Sequence, residues 1–239
     1  MKKFLYLLLG GILGISNTAW AGLSISPIQL YISDKAKQKS ATILLTSRDF
    51  TASKTFETSV VRWSQNEQGQ DIFEPDPSII INPKNFIIAP ESRQIVRVGV
   101  SQAVANPADT QEKTWRIIFQ EVAPPEQDDT VSFLFNISVP LFVGKQATVD
   151  LKIQPQKTAS NLSLAIKNNG LSHVQISKIT LVDANKKEIE TNHDMKYLLP
   201  KSSFNFNFKH AINREDLGKY KLLVQTDQQD HPIEFGLKE

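Results

Sequence analysis

From Val131 to Phe142 the chain reads V-S-F-L-F-N-I-S-V-P-L-F. Val131, Phe133, Phe135, Ile137 and Val139 fall at every second position. An extended backbone sets all five on one face of a strand. Ser132, Leu134, Asn136 and Ser138 take the other, mostly polar face. A half-buried strand of this kind ordinarily covers its own domain's core. The row is also bulkier than one strand of a small sandwich requires, so it suits a second use. It could be lent to a partner as an added strand, by β-augmentation.

The same short period recurs along the chain, and helical periodicity is nearly absent. The pattern predicts strands over 23–28, 40–45, 56–63, 79–81, 86–88, 94–100, 115–122 and 131–142. Pro, Gly, Asn and Asp punctuate them, and Gln65–Asp71 reads as a polar turn. Pro27 holds the first strand to an edge or a bulge. Strand number and spacing fit an immunoglobulin-like sandwich. A polar break at Lys145–Thr148 sets a boundary, giving domains over 22–145 and 146–239. Strands predicted over 149–153, 161–167, 174–182, 186–190, 195–199, 203–208, 219–226 and 232–237 build a second β-sandwich. Asn168-Asn169-Gly170 and Asp183-Ala184-Asn185 mark turns within it.

Residues 1–21 read as a targeting segment and not as fold. Lys2 and Lys3 precede an apolar run from Phe4 to Ile15, and Ala19-Trp20-Ala21 is a small-x-small cleavage site. The run is too short for a membrane span. Export is expected, into the periplasm of a Gram-negative cell. The formal charge of +2 falls to near zero once the two leader lysines are removed. No strong field therefore points to nucleic acid. With no cysteine, an exported chain must rest on its apolar cores.

Four features in order carry a family resemblance. They are Pro83 with the turn Ala89-Pro90-Glu91-Ser92 before Ile95-Val96-Arg97-Val98; Glu112 ahead of the aromatic-led strand at Trp115; that strand's ending at Glu121-Val122-Ala123-Pro124-Pro125; and the alternating strand closed by Leu141-Phe142. With these, residues 22–145 resemble the periplasmic chaperones of the chaperone–usher pilus pathway. The resemblance implies an all-β fold of two immunoglobulin-like domains set as a boomerang. It implies pilus subunits lacking a final strand as partners, an outer-membrane usher as recipient, and no cofactor. Val131, Phe133, Phe135, Ile137 and Val139 become the donated side chains.

Many members clamp the subunit's terminal carboxylate with two basic residues, but here those places hold Gln29 and Pro140. The Pro-Leu-Phe ending is more like the archaic branch, in which an arginine opening the aromatic-led strand takes over. The matching residue is Arg116, with Arg97 and Lys145 as secondary bases. Pairing of Arg116 with Glu112 or Glu121 is the plainer alternative. Glu112, Arg97 and Asp150 are expected to bridge the domains. An uncovered apolar row is an aggregation hazard, and self-pairing of two free copies would hide it.

Catalysis finds no support in the sequence. There is no cysteine nucleophile and no G-x-S-x-G elbow. His173, His193, His210 and His231 lie 17 to 21 residues apart, which is not a metal-ligand spacing and suggests surface or turn positions. Asp71, Glu74 and Asp76 read as a proline-bounded turn. A secreted two-domain adhesin or ligand-binding module on the same fold is the alternative to a chaperone, because a fold does not fix a function.

Overall fold

A computed structural model of the chain describes residues 22–33, 39–101, 111–124, 133–156 and 161–237. The targeting segment and Val131 lie outside the described residues. The architecture is all-β. One antiparallel sheet runs β1 (Gly22–Ser26), β3 (Ser40–Arg48), β8 (Arg93–Val100), β6 (Ile79–Asn82). The facing sheet runs β2 (Leu30–Ile32), β10 (Asn136–Val143), β9 (Lys113–Glu121), β4 (Lys54–Gln65), β5 (Asp71–Pro75), with β7 (Asn85–Ile88) also on β4. Alternation explains the packing. Ile43 and Leu45 of β3, Val96 and Val98 of β8, and Trp115, Ile117 and Phe119 of β9 point into one core.

No sheet mixes these strands with the later ones. β11 (Leu151–Gln156), β12 (Leu162–Asn168) and β16 (Ser203–Phe208) form a three-stranded sheet. The last sheet is β14 (Glu188–Asn192), β13 (Val174–Val182), β17 (Lys221–Thr226), β18 (Ile233–Gly236), with β15 (Lys196–Leu198) also on β13. A second core fills the space between them, around Leu164, Ile166, Ile176, Leu181, Phe206 and Leu222. The turn after β12 is fixed from within. Buried Asn168 donates to the Ser172 and Leu198 carbonyls at 2.8 and 2.9 Å and accepts from the Gly170 N–H at 2.8 Å.

Register decides what lies between the two sandwiches. Paired residues share a face. In the second sheet, Pro140 pairs with Arg116 and Arg116 with Val61; Phe142 pairs with Tyr31 and Thr114. Trp63, two residues from Val61, joins them. Trp63, Arg116, Phe142 and Tyr31 thus turn away from the first core, toward the C-terminal sandwich. There Trp63 and Phe142 bury against Leu199, with Tyr197 alongside, as a small apolar bridge.

Two strands went unforeseen. β2 spans only three residues. β5 occupies the stretch around Asp71 and Glu74 that reads as a turn. Its acids are hydrogen-bond acceptors for neighbouring strands: Asp71 takes Trp63 Nε1–H at 2.8 Å, and Asp76, just beyond β5, takes Trp115 Nε1–H at 3.0 Å.

Candidate functional site

β10 is an edge strand over half its length. β9 pairs with all of it, but β2 covers only Leu141 to Val143 on the other side. Among the described residues, the edge from Asn136 to Pro140 is unpaired, and an unpaired edge is a template for another strand.

The apolar row on β10 is graded and not uniform. Val139 is 3% exposed and belongs to the core of its own sandwich. Ile137 pairs with fully buried Phe119 and is half-buried, as is Phe135. Phe133, beyond the strand's start, is 90% exposed. The expected uniform donor face is therefore corrected at Val139, whose side chain is already used internally. The cause is geometric: the strand runs from the sandwich interior out past its end.

Glu121 fixes the point of departure. Its carboxylate accepts the Phe135 N–H at 3.0 Å, and its own N–H donates to the Phe135 carbonyl at 2.8 Å. Lys54 Nζ meets the other oxygen at 2.5 Å. The Phe135 ring lies 5.9 Å from Phe50 and 6.5 Å from Phe56.

Arg116 stands on the cleft face beside Pro140. Its guanidinium carbon is 3.7 Å from the Trp63 ring centroid and 5.4 Å from that of Tyr197. Stacking holds a cation without consuming its hydrogen-bond donors. Its Nε is buried without a partner, and no carboxylate pairs with it among the described residues. Pairing with Glu112 or Glu121 is overturned, since Glu112 is taken by His173 and Glu121 by Lys54. Burial lowers the Arg116 pKa, with Tyr197 and Asp71 pulling it the other way.

The other expected bases do not converge on this point. Arg97 is exposed on the outer face of the β1–β3–β8–β6 sheet, on the far side of the sandwich. Lys145 is exposed in the connection after β10.

Glu112 does bridge the sandwiches, but not to Asp150. Asp150 is exposed, and its carbonyl accepts from Asn169 within the C-terminal half. The partner is His173, fully buried and not at the surface. Glu112 Oε1 accepts the His173 N–H at 2.9 Å and lies 2.7 Å from its Nδ1; the Glu112 N–H donates to the Leu171 carbonyl at 2.8 Å. On the other side His173 Nε2 faces Asp227 at 3.4 Å and the Tyr31 hydroxyl at 3.3 Å. Phe142 stacks on the imidazole at 3.4 Å. A lone histidine in sequence gives no sign of this; only the fold brings residues 61 and 54 positions away to it.

A second brace is the β4–β5 hairpin. Gln65 donates to the Tyr197 carbonyl and accepts from the Leu199 N–H, both at 2.9 Å. Gly69, at φ +73°, lets the hairpin tip press on the Ser203 carbonyl, where a Cβ would collide. Gly69→Ala should therefore cost at least ~1–2 kcal/mol for the left-handed backbone. Differential scanning calorimetry should show this as a lowered melting temperature.

The fold and this edge strand place the chain in a known class. The family profile of the pili and flagellar-assembly chaperones, PapD N-terminal domain, matches residues 22–147. The chain belongs to that family, which is one of chaperones and not of enzymes. No curated protein matches the chain by sequence. Solved structures share the whole fold. A chain of the CsuC–CsuE chaperone–tip adhesion subunit pre-assembly complex, from archaic chaperone-usher Csu pili of Acinetobacter baumannii, is 19% identical with a TM-score of 0.67. That alignment covers 90% of this chain and 97% of the other. A chain of the Salmonella enterica complex of SafA pilin with the SafB chaperone is 14% identical, TM-score 0.60, with coverages of 91% and 97%. The class 5 fimbriae chaperone CfaA is 12% identical, TM-score 0.59, with coverages of 91% and 99%. At these identities the likeness establishes the fold.

Proposed function

We propose that this protein holds pilus subunits in the periplasm by lending them β10, and passes them to an outer-membrane usher. A subunit strand laid on the open edge from Asn136 to Pro140 continues the sheet. Phe133 then enters the subunit's groove, with Ile137 and Phe135 shared between the two cores at the seam. Val131 extends the donated row. Fully burying one such side chain is worth ~1.5–3 kcal/mol. Main-chain bonds along the edge give affinity without choice, and the side chains supply the choice.

The observation that carries the reading is Arg116, a partly desolvated cation stacked on Trp63 that, among the described residues, feels the charge of Asp71 but makes no ion pair with it. A buried charge is ordinarily paired. The missing anion is the subunit's C-terminal carboxylate, which a guanidinium binds through two parallel hydrogen bonds. In Arg116→Ala the nearby Asp71 keeps its bonds from Trp63 and Gln65, so the fold should persist. The loss of a charge-assisted bond, ~1.5–3 kcal/mol, should cut subunit retention about 10- to 100-fold in co-expression and pull-down. Undiminished retention by the variant would remove Arg116 from the mechanism.

In the free protein the same edge is open to a second copy. Sedimentation at rising concentration should show a dimer that a bound subunit displaces.

A further inference from the structure

We propose that Tyr197, from the C-terminal sandwich, is a second ligand of the subunit's terminal carboxylate, donating its hydroxyl hydrogen beside the Arg116 guanidinium. The inference rests on the anchoring role of Arg116 argued above.

The case is a chain of hydrogen bonds with a fixed direction. It starts at His173, whose two ring nitrogens face carboxylates, Glu112 at 2.7 Å and Asp227 at 3.4 Å. In the imidazolium form, which these carboxylates favour, each nitrogen carries a hydrogen. The Tyr31 hydroxyl, 3.3 Å from Nε2, meets a donor there and must point its own hydrogen elsewhere. It donates to Gln29 Oε1 at 3.0 Å. That contact orients the Gln29 amide, whose nitrogen donates to Gln175 Oε1 at 3.0 Å and to the Tyr197 hydroxyl at 2.6 Å. Tyr197 oxygen is thus an acceptor, and its own hydrogen remains to be placed. No described residue accepts it. A hydroxyl receiving a strong bond is polarised and becomes a better donor.

Tyr197 is also held where that hydrogen is useful. Gln65 fixes its carbonyl at 2.9 Å. Its ring stands edge-on to Trp63 at 5.3 Å, and the Arg116 guanidinium lies over both rings. Asp71, the acid whose charge reaches Arg116, is already engaged by Trp63 Nε1–H and Gln65 Nε2–H, so the guanidinium and the Tyr197 hydroxyl are both left to serve an incoming anion. Gln29 and Tyr197 together supply a hydrogen-bond donor at the place where Gln29 itself carries no charge. That donor is neutral and comes from the other sandwich, so the anchor exists only while the two sandwiches are docked.

The test uses a pilus subunit that the wild-type chaperone retains. The subunit is made with its native C-terminus, or with a C-terminal extension that moves the carboxylate away. Affinities are measured for wild type, Arg116→Ala, Tyr197→Phe and the double variant, with melting curves to check the fold. Tyr197→Phe keeps the ring over Arg116 and removes only the hydroxyl. It should weaken binding of the native subunit about tenfold and leave binding of the extended subunit unchanged. If Tyr197→Phe binds the native subunit like wild type while Arg116→Ala is impaired, Tyr197 is not a ligand and the Arg116 anchor stands. An equal loss for both subunit forms would make Tyr197 a structural prop and overturn the proposal. If neither single variant loses affinity, the anchor reading itself falls.

Discussion

Val139→Asp will unfold the N-terminal sandwich, whereas Phe133→Asp will leave it folded and unable to retain a pilus subunit. The two residues lie in one alternating row, yet their surroundings are opposite. Val139 is enclosed by its own core. A carboxylate there has no cation to meet and costs several kcal/mol, a large part of the 5–15 kcal/mol that holds a typical domain. Phe133 has almost no neighbours to lose in the free protein. Its removal registers only where a partner's core would have enclosed it. Phe135→Asp stands between them, because its ring packs near Phe50 and Phe56 and a new acid would sit beside Glu121. Circular dichroism melts and subunit recovery, measured together on the three variants, separate self-packing from donation. A Phe133→Asp protein that recovers as much subunit as wild type would refute donation by this row.

Alternation alone exposed nearly every strand, because each sheet here has one apolar face and a two-residue period records that directly. The misses share a cause. β2 is too short to display a period, and β5 is exposed throughout, so it has no apolar face to announce it. β5 exists through its pairing with β4, which is a tertiary fact. The row on β10 was legible as a row, but its gradient was not. Burial along it depends on where the strand leaves the sandwich, which Glu121 fixes from another strand. Arg116 was reachable by motif position. Its surroundings, the Trp63 and Tyr197 rings and the absence of an ion pair among the described residues, come from three separated segments. His173 and Asp227 carried no local signal at all.

The joint between the sandwiches should loosen as pH rises, and His173 should be the cause. Burial alone would lower its pKa, but hydrogen bonds to Asp227 and Glu112, and their charges, outweigh burial and raise it. Tyr31 also faces the imidazole, and Phe142 and Tyr197 lie near it; none of these is a cation. A folded-state pKa above the unfolded value, near 6.5 for histidine, means that folding favours the protonated ring. That stabilisation is complete below the unfolded value and disappears as pH climbs through the raised one. Wild-type melting temperature should therefore fall across that window, and the profile of His173→Gln should be flatter there. Glu112→Ala should do more damage than either change of pH. It leaves the His173 backbone N–H and ring without their acceptor in a buried place, and breaking a buried pair from one side costs ~3–5 kcal/mol. Small-angle scattering on Glu112→Ala should register a wider spread of domain arrangements, and subunit retention should drop with it, because Tyr197 reaches Arg116 only across this joint. Parallel pH profiles for wild type and His173→Gln would show that the imidazole stays in one protonation state throughout, and the coupling would be lost.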